Sequence, residues 1–429
     1  MRIDILAVGS RGDVQPYLAL GLGLRAAGHR VRFVTLGGFE KFVGGHGFDH
    51  LAIGASPQEI AQTDAGRDWV KKRSSVLGYL SGFVRVAASK LEEGLLNYWR
   101  AARETEAVIT APMGLLVGVH IAERLGVPLI RSQADPQPVP TLYNWNGRKS
   151  LRTALSTSVA FSIDIAFNLL MWNLLRGATN AARRRILDLP PLPRIRWAGR
   201  RLPLMCGYSP VVSPTGPDLP KWIHVTGYWF LDDVPGWSPP RQLADFLASG
   251  PPPVFIGFGS TPFPNPEAAT ELVVRAVTRA GRRGIVVAGG SGLATGQLSQ
   301  DVLSIDTVPH DWLFPRVSAA VHHGGAGVTG AALRAGLPSV VVPVFGDQPF
   351  WGKTVHRLGA GPRPIPAKAL TEDNLSRAIR ATDSIAIRRR AAELGAQIRR
   401  EDGVARAVEI IEQHLGRGDS NRRRHQHAR

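Results

Sequence analysis

Residues 320–352 have the residue types and spacing of a phosphate-binding unit. They predict a buried strand, a turn of small residues over 322–327, a helix and a second apolar strand, followed by Asp347 and Gln348. Such a turn directs backbone N–H groups and the positive end of the helix dipole toward one point, which suits a phosphate. Asp347 and Gln348 would lie at the carboxyl end of the next strand, where open α/β sheets bind ligands. The stretch therefore predicts a nucleotide-sugar site, with the two side chains near the sugar hydroxyls.

A histidine at the start of this turn is a candidate for catalysis. A lone histidine at the end of a buried strand is usually a core residue, but beside a phosphate the His322 imidazole could donate to a diphosphate oxygen and stabilise a leaving group. His323 is a weaker candidate. In the turn itself the backbone matters, since larger side chains would block close approach. The residues predicted to meet the diphosphate are Gly324, Gly325, Ala326, Gly327 and Val328.

Two further loops follow predicted strands. Ser260 and Thr261 form a second turn of small residues and are predicted to meet the diphosphate, although an ordinary Ser/Thr turn explains them almost as well. Near the N-terminus, Ser10 and Asp13 follow the first strand, and Ser10 is assigned to the diphosphate as well. Asp13 fits either a helix N-cap or a general base that removes a hydroxyl proton as the oxygen attacks. In isolation the cap would be the more common explanation.

Composition excludes several classes of protein. The 429 residues favour two domains, and the single cysteine, Cys206, excludes an intramolecular disulfide and fits a reducing compartment. A net charge of +18 would suit nucleic acid, an anionic membrane or a solvated surface. No nucleic-acid motif is present, and the arginines cluster over 183–201 and 417–429 with a single tryptophan, Trp197, among them rather than the interleaved aromatic residues that single-strand binding needs. We therefore expect no nucleic-acid partner, and peripheral contact with an anionic membrane only for a lipid acceptor.

Strands alternate with helices in two halves, which predicts an α/β protein with two doubly wound domains. The predicted organisation is a domain over 1–215, a Pro/Gly-rich linker over 216–253, a second domain over 254–400, a C-terminal helix over 401–416 and a disordered basic tail over 417–429. No signal peptide is evident, and polar residues interrupt the most apolar run, residues 153–175. We expect a cytoplasmic protein, peripheral at a membrane surface if its acceptor is a lipid.

Ordered motifs over about residues 3–380 resemble the family 1 glycosyltransferases, in particular the sterol glucosyltransferase branch and its bacterial relatives. This resemblance implies the GT-B fold, in which two Rossmann-like domains face each other across a cleft. Residues 55–105 match poorly. The motifs that carry the resemblance are Gly9-Ser10-Arg11-Gly12-Asp13-Val14-Gln15-Pro16, Val225-Thr226-Gly227-Tyr228-Trp229-Phe230, Phe255-Ile256-Gly257-Phe258-Gly259-Ser260, His322-His323-Gly324-Gly325-Ala326-Gly327 and Gly346-Asp347-Gln348-Pro349-Phe350-Trp351.

The resemblance also implies roles for single residues. It makes Asp13 the general base, His322 a donor to the departing diphosphate, and Asp347 and Gln348 contacts of the sugar hydroxyls. It places the nucleobase near Thr307, Val308 and His310, where plant relatives stack a tryptophan that this chain lacks. The chain also has Val328 where relatives often carry threonine, and Gly330 where plant members carry an acidic ribose contact.

These features predict an inverting, metal-independent enzyme that moves glucose from UDP-glucose to a hydroxyl of a sterol or a related apolar acceptor. No cluster with metal-ligand spacing is present, so we expect no metal or cofactor, with the UDP-sugar as a co-substrate. Two alternatives remain open: transfer of a dTDP-deoxysugar to a glycopeptide, macrolide or glycolipid, and a catalytically silent binding protein. The acceptor-binding residues are unknown, since the apolar residues over 159–175 fit a pocket or a core equally.

Overall fold

The structure is a computed structural model that describes residues 1–64, 66, 76–136, 141, 148–149, 151–194, 202–232, 236–259, 263 and 265–426. The chain forms two compact units. Unit 1 comprises residues 1–207, 214–229 and 403–429, and unit 2 comprises residues 208–213 and 230–402.

Unit 1 is built on a parallel sheet of seven strands in the order β3-β2-β1-β4-β5-β6-β7. Apolar runs such as Ile109 and its neighbours form the strands because helices cover both faces of a parallel sheet. The order reverses between β1 and β4, so the loops after these two strands diverge at the carboxyl edge. The strands are β1 (Arg2–Leu6), β2 (Arg30–Thr35), β3 (Asp49–Ala52), β4 (Ala107–Thr110), β5 (Leu129–Gln133), β6 (Leu204–Cys206) and β7 (Ile223–Val225).

Helices of unit 1 connect these strands. The longest, α6, has 37 residues, and its C-terminal part reaches the core through Leu175, Ala182 and Leu187. The helices are α1 (Arg11–Ala26), α2 (Glu40–Gly44), α3 (Pro57–Gln62), α4 (Val76–Ala101), α5 (Leu115–Leu125) and α6 (Leu151–Leu187).

The C-terminal helix, Gly403–Gln426, also belongs to unit 1. It packs on α1, where a Cβ on Gly23 would lie 2.4 Å from Cγ1 of Val404, so only glycine lets the two helices approach this closely. The sequence predicted a C-terminal helix over 401–416; in the structure the helix extends to Gln426, into the segment 417–429 that was predicted to be a disordered tail. The helix is anchored by apolar residues such as Ile411, and no proline stops it from continuing to Gln426.

Unit 2 has a sheet of six strands in the order β10-β11-β9-β8-β12-β13, parallel except for β10 against β11. Its order reverses between β8 and β12. The strands are β8 (Val254–Gly257), β9 (Gly284–Val287), β10 (Gly296–Ser299), β11 (Val302–Ile305), β12 (Ala319–His322) and β13 (Ser339–Val341). The helices are α7 (Arg241–Ala248), α8 (Pro266–Arg279), α9 (His310–Leu313), α10 (Ala326–Arg334), α11 (Gln348–Arg357), α12 (Glu372–Ala381) and α13 (Ile385–Ile398).

The segment predicted as an interdomain linker, residues 216–253, is largely part of the two units. It contributes β7 to the sheet of unit 1 and α7 to unit 2, where Leu243 and Phe246 are buried against Phe255. Its prolines therefore flank short elements, and the chain passes from one unit to the other between Trp229 and Phe230.

A buried ion pair fixes the centre of unit 1. The Asp4 carboxylate accepts hydrogen bonds from Arg32 Nε at 3.0 Å, Arg32 Nη2 at 2.6 Å, Tyr98 Oη at 3.0 Å and Thr105 Oγ1 at 2.6 Å. Asp4 is fully buried, so this network joins β1, β2 and α4 in a setting that water does not reach.

Replacing Asp4 with Asn should destabilise the protein by about 3–5 kcal/mol, because the Arg32 guanidinium would stay buried without its counter-charge. Tyr98→Phe is the matched control; it removes a single hydrogen bond to the carboxylate and should cost about 1.5–3 kcal/mol. Urea denaturation followed by far-UV circular dichroism measures both. Equal losses of stability in the two variants would show that the ion pair contributes no more to the free energy of unfolding than a single hydrogen bond does.

Candidate functional site

The two strands at the reversal point of unit 2, β8 and β12, end beside each other, and a histidine lies between the loops that follow them. A Cβ on Gly259, in the loop after β8, would lie 2.9 Å from Cε1 of His323. A Cβ on Gly325, in the loop after β12, would lie 2.6 Å from Nε2 of the same ring. Both loops therefore need glycine, and His323 links them at the edge where this class of sheet binds ligands.

His322, at the end of β12, is fully buried. Its Nδ1 lies 3.1 Å from the backbone N of Gly324 and accepts that N–H, so the proton of the neutral ring is on Nε2. Nε2 is buried and has no hydrogen-bond partner in the structure. Burial is the main cause that lowers the pKa of His322, to about 3, with smaller contributions from His323 and His310. The ring is therefore a neutral N–H donor at physiological pH.

The turn itself leads into a helix of nine residues, α10, with Gly325 as its N-cap. Gly324 has a φ of +89°, and a Cβ there would lie 2.7 Å from Cγ1 of Val341, so glycine is required. A side chain on Gly327 would meet open space. Val328 is buried in the core of unit 2, so only its backbone N–H is available to a ligand. The structure thus provides the N–H groups of a helix start that are suited to an anion.

Asp347 and Gln348 open α11 after β13, on the same edge of the sheet. Asp347 is exposed, and its Oδ2 accepts a hydrogen bond of 2.8 Å from Trp351 Nε1. Gln348 is buried, and its Oε1 accepts from the backbone N of Val344 at 2.8 Å and of Phe345 at 3.2 Å. The amide oxygen of Gln348 is therefore used to shape its own loop, which leaves the amide N–H groups for a ligand.

The residues predicted to contact a nucleobase lie in the loop from β11 to α9. Thr307 is exposed and Val308 is half-buried against the core of unit 2. The His310 ring is stacked on Phe314, with 4.6 Å between ring centroids and an interplanar angle of 10°. His310 thus has a packing role, while Thr307 presents its side chain outward. Ser260 and Thr261 lie outside the described residues.

In unit 1, Asp13 lies in the first turn of α1 at the reversal point of the sheet. The helix begins at Arg11 with Ser10 as N-cap, so Asp13 is the third helical residue. Asp13 Oδ2 accepts from Ser10 N at 2.7 Å and Ser10 Oγ at 2.9 Å. Ser10 is therefore engaged by Asp13. Gly9 has a φ of +147°, and a Cβ there would lie 2.4 Å from Asp13 Oδ2.

The Asp13 side chain keeps an exposed surface, yet the protein around its carboxylate desolvates the charged form. Desolvation raises the pKa of Asp13, against the two hydrogen bonds from Ser10, which lower it. Both of these bonds use Oδ2. Oδ2 thus holds the carboxylate against the N-cap residue, Ser10. The carboxylate is also a stronger base than that of an ordinary aspartate.

Among the described residues, no group of three or more histidine, cysteine or acidic side chains lies close enough together to hold a metal ion. Cys206 is a buried free thiol, and burial raises its pKa to about 12, so it stays protonated and unreactive.

Two family models match the chain. Residues 3–139 match the glycosyltransferase family 28 N-terminal domain, and residues 276–412 match the erythromycin biosynthesis protein CIII-like C-terminal domain. The chain is 35% identical over 435 residues to a sterol 3-beta-glucosyltransferase of Aspergillus fumigatus and 36% identical over 424 residues to one of Emericella nidulans. Each alignment covers 96% of this chain and 30% of the relative. The chain therefore contains a glycosyltransferase N-terminal domain and is similar to glycosyltransferases over most of its length.

Solved structures show which fold this chain has. The glycotransferase of kitacinnamycin superposes with a TM-score of 0.66 at 18% identity, covering 96% of this chain and 99% of that one. CalG4, the calicheamicin glycosyltransferase, superposes with a TM-score of 0.65 at 21% identity, covering 97% and 99%. These likenesses confirm the predicted GT-B fold, with two Rossmann-like domains. The chain spans about 30% of the length of the sterol glucosyltransferases it matches, so its own activity is argued below as a proposal.

The sequence ranked His322 above His323 as a candidate, but it could not show which loops the two rings contact. His323, the weaker candidate from sequence, is the ring that touches both glycine loops, whereas His322 is enclosed. A sequence signal was present, since alternation along β12 places consecutive side chains on opposite faces. The pattern could not say which face the glycine loop after β8 would approach.

Gln348→Ala should reduce stability by about 1–3 kcal/mol, because the N–H groups of Val344 and Phe345 would lose their acceptor. Gln348→Glu is the matched control, since a carboxylate oxygen can accept from both N–H groups and should preserve the loop. Chemical denaturation measures the difference. If the Ala variant is as stable as the parent, the side chain has no structural role and is available in full to a ligand.

Proposed function

We propose that the chain is an inverting glucosyltransferase that uses UDP-glucose, without a metal ion, to glycosylate a hydroxyl of a sterol or a related apolar polycyclic compound. Two observations carry the proposal: the turn into α10 at the reversal point of the sheet has the free backbone N–H groups of a helix start, and His322, at the end of the preceding strand, has a buried imidazole N–H without a hydrogen-bond partner. The sterol 3-beta-glucosyltransferases named above support the choice of sugar and acceptor.

The leaving diphosphate would be bound by the N-terminus of α10. The helix dipole and the N–H groups of the turn offer positive potential to an anion without a cation. His322 would add one hydrogen bond from Nε2, which strengthens as charge develops on the leaving oxygen. Because the ring is buried, this contact requires the turn at Gly324 and Gly325 to shift when the donor binds. His323, between the two glycine loops, is the second donor candidate.

The hexose would be held by Asp347 and Gln348. An aspartate carboxylate accepts hydrogen bonds from sugar hydroxyls, and the Gln348 amide N–H groups donate to them. Trp351 Nε1 holds the Asp347 carboxylate at 2.8 Å, and the backbone of Val344 and Phe345 holds the Gln348 oxygen. Both side chains are thus oriented in advance, which reduces the entropy lost on binding.

Transfer would proceed in one displacement with Asp13 as general base. The acceptor hydroxyl gives its proton to the Asp13 carboxylate while its oxygen forms a bond to the anomeric carbon. The bond from that carbon to the diphosphate oxygen breaks, and UDP leaves with the electron pair. Attack opposite UDP converts an α-linked donor into a β-glycoside. The raised pKa of Asp13 suits this task, since a stronger base accepts the proton more readily.

A dTDP-sugar is the second candidate donor. Two similar structures, of SsfS6 from Streptomyces sp. SF2575 and of VinC, contain thymidine diphosphate and dTDP respectively. Thr307 has no aromatic side chain that could stack on a base at this position of the loop. The described residues therefore favour neither uracil nor thymine.

Asp13→Asn should preserve the fold and lower the turnover rate by about 10²–10⁴-fold, because the amide keeps the cap to Ser10 but cannot accept a proton. The parent rate should rise with pH as the carboxylate ionises, and it should fall off on the acid side at a higher pH than an ordinary aspartate would cause. Initial rates against pH measure both. Ser10→Ala, which keeps the carboxylate, is the control. Near-normal turnover by the Asn variant would make Asp13 a cap alone.

A donor panel of UDP-glucose, dTDP-glucose and dTDP-rhamnose with cholesterol and ergosterol should give product with UDP-glucose and a sterol. EDTA should leave that rate unchanged, because the helix start and His322 meet the charge on the diphosphate. Nucleotide release with and without acceptor, followed by mass spectrometry of the product, measures the reaction. Inhibition by EDTA that magnesium reverses would contradict the metal-free mechanism, and product with dTDP-sugars alone would favour the second candidate.

A further inference from the structure

A row of exposed apolar side chains runs along α6 in unit 1. Of the eleven large hydrophobic side chains that are exposed in the described part of the chain, seven lie on this one helix. Their exposed fractions range from 44% to 76%. We call this row the α6 stripe: Leu151, Leu155, Val159, Ile163, Phe167, Leu170 and Leu174.

The spacing of the α6 stripe keeps it on one face of the helix. Its members follow one another at intervals of three or four residues, which places them in line on an α-helix. From Leu151 to Leu174 the stripe is about 35 Å long at 1.5 Å per residue. Sequence reasoning left residues 159–175 open between a core and an acceptor pocket. The structure places the five stripe members of that segment among the exposed side chains, so they do not form a core.

The other face of α6 is fixed to the protein. Phe161, Ile165 and Met171 are half-buried, and beyond them Leu175 and Arg183 are buried. Arg183 is held by the Glu123 carboxylate of α5 at 2.8 and 2.9 Å. The helix is long and apolar enough to cross a membrane by length and composition, but its most apolar window is not buried in the protein and its second half is part of the core. The stripe is therefore an outward face of an anchored helix.

The charged residues on the face of the α6 stripe and immediately before the helix are basic. Arg152 is exposed on the same face, and the exposed Arg148 and Lys149 immediately precede the helix. The acidic residue of the helix, Asp164, is half-buried on the other face, where it interacts with Arg131. An apolar band with basic residues at its end and no carboxylate on its face complements the interface of an anionic bilayer. A protein partner would need a matching shape along 35 Å of straight helix, whereas a lipid surface would not.

We propose that the α6 stripe lies in the interfacial region of an anionic lipid membrane, parallel to its plane. The apolar side chains would enter the boundary between headgroups and acyl chains, and Arg148, Lys149 and Arg152 would meet lipid phosphates or carboxylates. This interaction goes beyond the proposed sugar transfer and does not depend on it, because it involves neither the donor turn nor Asp13.

The test is co-sedimentation of the full chain, without donor or acceptor, with vesicles of phosphatidylcholine alone or with 30% phosphatidylserine, as about a third of the lipid mimics a strongly anionic leaflet. The parent should bind the mixed vesicles more tightly, with binding that weakens as salt increases. The double variant Leu155→Gln with Ile163→Gln should lose at least about tenfold in partitioning, because two exposed apolar side chains no longer enter the lipid. Ile385→Gln, at an isoleucine of unit 2 that is even more exposed, is the control and should bind like the parent.

Both variants should keep the circular dichroism spectrum and melting temperature of the parent, since the substituted side chains are exposed and glutamine favours helix. Equal partitioning of the parent and the double variant would overturn the proposal. So would a concentration-dependent dimer without lipid that the double variant abolishes, because the stripe would then be a contact between two copies. Release from vesicles by detergent but not by high salt with carbonate would also overturn the in-plane arrangement in favour of a membrane-spanning one.

Discussion

The reversal of strand order in each parallel sheet is the constraint on which the candidate sites depend. Between β8 and β12, and again between β1 and β4, neighbouring strands send their following loops in opposite directions. A gap opens at the carboxyl edge, and the first turn of a helix comes to lie at it. In unit 2 that turn offers the N–H groups of α10, and in unit 1 it offers Asp13. The residues that could do chemistry are thus positioned by the order of the strands in each sheet. A local sequence motif alone could not position them.

Burial then determines what those residues can do. His322 is enclosed, so its pKa is about 3 and it acts as a neutral donor whose tautomer is set by the N–H of Gly324. Asp13 is desolvated in part, so its pKa is raised and it becomes a better base. Desolvation therefore shifts the two groups in opposite directions on the pH scale, and each shift favours the neutral form. A neutral imidazole suits the role proposed for His322, and a more basic carboxylate suits the role proposed for Asp13.

Those features of the fold that depend on residues close together in the sequence could be predicted from it. The alternation of strands with helices in two halves was predicted, because short apolar runs such as residues 107–110 mark strands that helices cover on both faces. The strands β6 and β7, of three residues each, were missed, since pairing with the sheet rather than composition defines them. Gln348 shows the same limit: its residue type suits a sugar, but whether its oxygen is already used depends on the path of the backbone at Val344. The roles of Ser10, Asp13, His322, Asp347 and Gln348 remain predictions.

The large positive charge of the chain has more than one structural role. Many arginines are paired on the surface, as Arg279 is with Asp373 at 2.7 Å, and such exposed pairs contribute little to stability. Arg32 and Arg183 are different, because they are buried and join elements that are distant in sequence. Arg148, Lys149 and Arg152 form a third class: they are exposed beside an apolar face that has no acidic residue. The net charge alone could not distinguish these three roles, since every arginine and lysine contributes equally to it. The apolar neighbours of a cation, rather than its charge, decide whether it stabilises the fold, keeps the surface solvated or can meet a lipid.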